Sequence, residues 1–237
     1  MKTRREFLVM AGGATVLAPR IIGSKRVPGM LDHILLGCSD LERGIAFVEA
    51  KTGVKAAFGG VHPGRGTQNA LLSLGERQYL EIIAPDPKQT GTVGSQSSVE
   101  RLKLRELAEP KLVTWAVHPG SAAELAERLK RASVVAEGPT PGSRKRPDGR
   151  MLEWKTVNLA EDEGGLLPFF IEWGAGTVHP SVDATKGCTL KQFWIESLEP
   201  EKLVKKFELM GVDVEVRSGK SARLRARITG PKGEVEL

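Results

Sequence analysis

The chain has 237 residues, is 40% hydrophobic and 27% charged, and carries a formal charge of +6. The charge sits at the start: Lys2, Arg4, Arg5, Arg20, Lys25 and Arg26 are six of the 35 basic residues, Glu6 is one of the 29 acidic ones, and 29 basic against 28 acidic residues remain beyond position 26. A nearly neutral body excludes the electrostatic basis of nucleic-acid binding, and the apolar segment near the start is too short for a stable membrane span.

That segment is the first feature in chain order. Thr3-Arg4-Arg5-Glu6-Phe7-Leu8 leads into the weakly apolar, Gly/Ala-rich stretch Val9 to Ala18. Residues 1–28 resemble a twin-arginine signal, which predicts export of the folded chain to the periplasm or beyond, with a mature start between about residues 19 and 29. Cys38 and Cys188 are the only cysteines. They are expected as two buried thiols, with a single disulfide as the alternative.

A strand is expected over 31–37, then a helix to about Thr52 that opens on the capping box Ser39-Asp40-Leu41-Glu42 and ends at Gly53. Leu41, Ile45 and Val48 mark its buried face. Strands follow at 55–58, 67–74 and 79–84, the last two joined across Gly75-Glu76-Arg77-Gln78. Residues 85–97 read as a linker, and Ser97 opens an amphipathic helix to about Glu109. A second round has a strand at 112–118, a helix from the capping box at Ser121 to about Arg131, and strands near 134–135, at 151–158 and at 167–173. After a linker at 174–187 comes a third round: a strand at 189–196, a helix from Pro200 to Met210 closed by Gly211, and strands near 213–217, 222–228 and 234–237.

The period is close to eighty residues and the order is β-α-β-β-β each time. The expected class is α+β: about three βαβββ modules, paired into a curved mixed sheet around a cleft. Modules 31–84 and 112–174 make one domain over 29–174, and 187–237 adds a third module to it. A ferredoxin-like βαββαβ reading fits less well, because three strand-like runs follow each helix. Two modules suffice for one cleft, so the third leaves room for self-association into a homodimer.

Three polar residues interrupt these strands: His33 in Leu31-Asp32-His33-Ile34-Leu35, Glu81 in Tyr79-Leu80-Glu81-Ile82-Ile83, and Glu172 in Phe170-Ile171-Glu172-Trp173. A buried carboxylate is costly unless paired, so two of them with an imidazole raise the question of a shared cation. By strand parity His33 would face the same side as Leu31 and Leu35.

The layout, with 62–75, Tyr79 to Pro87, 141–149 and Leu167 to Trp173, resembles the vicinal oxygen chelate superfamily and, within it, the uncharacterised glyoxalase-like domain proteins. The resemblance implies a cleft in which a divalent metal is held by a His or Gln on the first strand and a Glu on the last strand of each module. His33 and Glu81 match both positions of the first module, and Glu172 matches the last strand of the second, whose first-strand position falls on Val113 or Trp115. Glu236 is an outlying candidate in the third module. The implied ligands are thus His33, Glu81 and Glu172, with Glu172 also the group to move a proton beside a carbonyl. A mixed N/O set suits Fe, Mn, Ni, Co or Zn alike. The resemblance also implies a metal-dependent lyase, isomerase or dioxygenase acting on a small oxygenated substrate that could be anionic. His62, Arg65, Asn69, Arg144, Arg146 and Trp154 are its candidate contacts. The alternative is a metal-free protein of the same fold that binds or sequesters a small molecule. There is no GxxxxGK[ST] phosphate loop and no GxSxG nucleophile motif.

Overall fold

The computed structural model describes residues 21–22, 27–89, 97–146 and 148–237. Of residues 1–28, expected as a twin-arginine signal, only 21–22 and 27–28 are among the described residues. Ile21–Ile22 form β1, which pairs antiparallel with a strand of the third module. Among the described residues no helix is long and apolar enough to cross a membrane.

The first module is β2 (Leu31–Gly37), α1 (Leu41–Thr52), β3 (Ala57–His62), β4 (Thr67–Gly75) and β5 (Gln78–Pro85). Asp40, rather than Ser39, caps α1: its side chain accepts from the Arg43 amide, and Gly53 closes the helix in the left-handed region. A short helix, α2 (Ser98–Arg101), precedes the second module of β6 (Lys111–Val117), α3 (Ala122–Arg131), β7 (Ala136–Lys145), β8 (Met151–Leu159) and β9 (Phe169–Trp173). The helix expected from Ser97 to Glu109 stops at Arg101, because Lys103 takes a left-handed conformation at φ 50°. β7 is much longer than the two residues expected. Its sequence, AEGPTPGSRK, carries two prolines and no apolar stripe, as a sheet-edge strand can.

Both modules share one eight-stranded mixed sheet in the order β3-β4-β5-β2-β6-β9-β8-β7. In each module the first strand runs parallel to the last, and β2 meets β6 antiparallel at the seam. The sheet curls until its edge strands approach each other, and Arg144 of β7 donates to the Gly59 carbonyl of β3. The concave face so formed is the cleft.

The third module follows a segment containing α4 (Pro180–Asp183). Its elements are β10 (Thr189–Ser197), α5 (Pro200–Met210), β11 (Glu215–Ser218), β12 (Arg223–Gly230) and β13 (Gly233–Glu236). The β-α-β-β-β order holds, but the strands assemble differently. They form a separate sheet, β1-β11-β10-β12-β13, in which β10 pairs parallel with the strand directly after its helix. This sheet, α1, α3 and α5 share one core with the convex face of the large sheet: Ile34, Leu36, Leu80 and Ile82 belong to the same cluster as Val48, Leu125, Phe193 and Phe207. Trp115 on β6 meets Phe193 at 5.0 Å and Phe207 at 6.0 Å between ring centroids. The apolar face of the third module is thus covered by its own chain, which removes the physical reason for expecting a second copy there. Cys38 and Cys188 are free and buried; burial, aided by Asp40, pushes the Cys38 thiol up to about 12.

Because Phe193 joins the two sheets, Phe193→Ala is expected to destabilise the whole chain by about 3–5 kcal/mol. Urea unfolding should show one transition shifted for all probes. A separate early transition confined to the third module would show instead that it folds apart from the rest.

Candidate functional site

The polar side chains of the cleft begin on β2, which does not alternate regularly. Its pairing with β6 slips between Leu31 and His33, a β-bulge at Asp32. Leu31 and Ile34 consequently enter the convex core, while Leu35 packs on the cleft side with Ile83 and Leu104. The parity that grouped His33 with Leu31 is broken there.

Asp32 is completely buried and accepts three hydrogen bonds. They come from His33 Nδ1 at 2.7 Å, Trp173 Nε1 at 3.0 Å and His179 Nε2 at 3.2 Å. Burial alone would raise its pKa. The hydrogen bonds and charges of the two histidines outweigh burial and hold the carboxyl well below the usual carboxylate range. His179 is fixed in turn, since its Nδ1 accepts from the Ser181 amide at 3.2 Å and stands 2.8 Å from the Ser181 hydroxyl.

With Nδ1 committed to Asp32, His33 turns Nε2 to within 3.5 Å of Glu81 Oε2. Tyr79 stacks on its ring at 4.4 Å and Phe169 meets its edge. Burial, then Asp32 and Glu81, push the Tyr79 phenol well above 10, so it stays protonated. Glu81 Oε1 accepts from Asn69 Nδ2 at 2.7 Å. On its other side His62, at the end of β3, brings Nε2 to 3.7 Å from Oε1 while Nδ1 lies 2.9 Å from the Thr67 hydroxyl. Burial lowers the His62 pKa, with Glu81 opposing, so the ring is neutral near neutral pH. Two imidazole nitrogens thus flank one carboxylate.

The donor set bears on the metal that the fold implies. Two ligands each about 2 Å from one ion stand about 3–4 Å apart, the spacing of Glu81 from each histidine. The carboxylate behind His33 is the usual orienting partner of a metal-binding imidazole. Against this, no group of three or more His, Cys, Asp and Glu side chains is drawn together as a metal cage among the described residues. The donors stand as two pairs sharing Glu81, an open set and not a closed one.

Glu172 does not join them. Phe169, Ile171 and Trp173 of β9 line the cleft, so Glu172 points to the other face, where Oε2 accepts from the Ala122 amide at 2.6 Å at the start of α3 and Oε1 lies 3.7 Å from Lys155. Its assignment as metal ligand and catalytic group is corrected to a helix-terminus carboxylate. Arg146 is also outside, paired with Asp183 at 3.0 Å. His62, Arg65, Asn69, Arg144 and Trp154 do line the cleft, whose volume is about 280 Å³. Arg144 is a buried strand residue, not part of a solvated loop. Gly60, at φ 140°, leaves room for it: a Cβ there would lie 2.6 Å from Arg144 Nη1. At the second module's first-strand position, Val113 packs beside the cleft-side cluster and Trp115 lies in the convex core, its indole donating to the Leu166 carbonyl at 2.8 Å. Glu236 pairs with Arg225 and Arg227. Sequence reasoning missed Asp32, His179 and Arg101 as parts of the site, and the indole hydrogen bond by which Trp173 reaches Asp32. The charge at position 32, inside an apolar run, was the available signal.

A curled mixed sheet built from two βαβββ modules around a cleft is the glyoxalase-like fold. The chain belongs to the glyoxalase-like domain family, whose profile matches residues 31–210. A hypothetical protein from Staphylococcus aureus has a similar structure, with a TM-score of 0.62 and 17% identity, covering 81% of this chain and 87% of that one. Methylmalonyl-CoA epimerase from Mycobacterium tuberculosis aligns at a TM-score of 0.41 and 15% identity, over 64% of this chain and 91% of that one. The Streptomyces coelicolor epimerase, solved with 2-nitronate-propionyl-CoA, aligns at 0.43 and 15%, over 64% and 100%. No curated protein sequence gives a significant match.

An amide at position 32 offers one acceptor atom to three donors, so Asp32→Asn is expected to cost about 3–5 kcal/mol in urea unfolding near neutral pH. The folded-state pKa of Asp32 is depressed, so its contribution is fully present above the unfolded value near 4 and is lost as the pH falls below it. The gap between wild type and variant should therefore narrow below about pH 4. A gap that stays constant there would remove the charge from the explanation.

Proposed function

We propose that this chain is a metal-dependent enzyme of the glyoxalase-like type, a lyase, isomerase or dioxygenase acting on a small molecule that presents two neighbouring oxygens. The observation that carries the reading is the placement of His33 Nε2 and His62 Nε2 at 3.5 and 3.7 Å from the two oxygens of Glu81. These three side chains would hold the ion, an iron, manganese, nickel, cobalt or zinc by donor type. When bound, it would supply Lewis-acid charge to the substrate's vicinal oxygens.

The rest is done by the chain's own groups. Asp32 keeps the His33 proton on Nδ1 and Nε2 directed into the cleft. Asn69 holds Glu81 Oε1 and so fixes the carboxylate's rotation. Tyr79, Phe169, Ile171, Trp154 and Trp173 wall the cavity and reduce its water, which strengthens every charge interaction inside. The twin-arginine segment adds export of the folded protein to the reading.

The second reading, a metal-free binding protein, is favoured by one observation: the second module offers the cleft no ligand once Glu172 is assigned to α3. It predicts stabilisation by a small ligand without any metal.

Elemental analysis of protein purified from its own compartment, followed by metal titration, separates the two. His33→Ala, His62→Ala and Glu81→Ala are each expected to weaken metal binding by at least about tenfold. Glu172→Ala should leave it unchanged while costing about 1 kcal/mol of stability. Protein that carries no metal, and whose melting temperature no divalent ion moves, would leave only the second reading.

A further inference from the structure

The cleft carries an excess of positive charge. Arg65, Arg101 and Arg144 line it against the carboxylate of Glu81. Arg144 is committed to the Gly59 carbonyl and faces Glu81. Arg65 is not, and Arg101 has only a long ion pair, to Asp162. Arg65 lies in the turn between β3 and β4, and its carbonyl accepts from the Ser98 amide at 3.2 Å. That bond fastens the turn to α2, which ends in Arg101, and brings both guanidinium groups to one rim of the cavity. Among the described residues, the carboxylate closest to pairing with Arg101 is Asp162 at 3.7 Å, too long for a hydrogen bond. Arg65 makes no ion pair among the described residues, and residues 90–96, between β5 and α2, contain no Asp or Glu. Burial disfavours the Arg101 charge and Arg65 disfavours it further, against the opposing pull of Asp162. Two half-exposed cations that repel each other across a cavity rim are relieved by an anion between them.

We propose that Arg65 and Arg101 clamp an anionic group, a carboxylate or a phosphate, carried by a substrate bound in the cavity that His33, His62 and Glu81 also line. The flat apolar surfaces of Trp154, Trp173 and Phe169 lie in the same cavity and suit an aromatic or planar body. The substrate class is thus an aryl or similarly flat anion with vicinal oxygens. The clamp itself stands on the two arginines; only the substrate's vicinal oxygens rest on the function proposed above.

The test titrates benzoate, phenyl phosphate and neutral benzyl alcohol into wild type and into the double variant Arg65→Gln/Arg101→Gln, with the ligand-free unfolding midpoint confirming that both are folded. Wild type should bind the anions at least about tenfold more tightly than the alcohol, and the variant should lose that preference while binding the alcohol as before. The anion that loses more identifies the natural group. No preference for anions in wild type, no difference between the two proteins, or no binding at all overturns the clamp. Catechol and protocatechuate, which differ by one carboxylate, then test the vicinal oxygens. If His33→Ala leaves both affinities unchanged while the arginine pair still governs benzoate, the clamp stands and the vicinal-oxygen reading fails.

Discussion

The site depends on a carboxylate with no access to water. Asp32 is costly to bury, and three donors from three parts of the chain offset that cost: His33 from the first module, Trp173 from the second, and His179 from the segment leading to the third. Each donor is also part of the cleft or its support. The charge that would be a liability in an ordinary strand therefore holds the two modules in register around the cavity. It also fixes which nitrogen of His33 faces inward, and a ligand or proton acceptor must have that settled before it can act.

The molecule divides its labour by sheet face. The convex face, from Ile34 to Trp115, is apolar and is sealed by α1, α3 and the third module. Packing there sets stability. The concave face carries nearly all the polar groups discussed above, held by hydrogen bonds to one another and by the Arg144 contact that draws the sheet edges together. A third module on the convex side leaves the cavity untouched, which explains how the chain can add one without altering a two-module cleft.

The architecture was legible because its signals are local. Two capping boxes, two helix-ending glycines and a proline at the start of the third helix mark the helices, apolar runs of strand length recur in all three rounds, and each signal acts over a few residues. What escaped depended on long-range geometry. The strand order of the third module is not encoded in the order of its elements. β7 lacks the apolar alternation by which strands are found, being held by its partner β8 and by the contact of Arg144. Strand parity fails on β2 because it assumes a regular ladder, and the bulge at Asp32 separates His33 from the face of Leu31. β9 alternates regularly, and its phase, with Phe169, Ile171 and Trp173 toward the cleft, puts Glu172 on the helix side. His33 and Glu81 stand out because a polar group in an apolar strand is conspicuous; Asp32 is equally conspicuous, but its partners Trp173 and His179 lie 141 and 147 residues away, beyond the reach of local signals.

The two modules are alike in fold and unlike in chemistry. The first brings His33, His62, Asn69 and Glu81, all on β2 to β5. Among the described residues, the second brings aromatic and aliphatic wall with Ser143, Thr156 and Asn158, and Arg144 as its buried charge in the cavity. A metal in such a site would rest on one module alone, leaving the opposite wall free to read the substrate's body and not its reacting oxygens. The second module's corresponding positions do other work: Val113 packs beside the cleft-side cluster, and Glu172 accepts from the Ala122 amide at the start of α3.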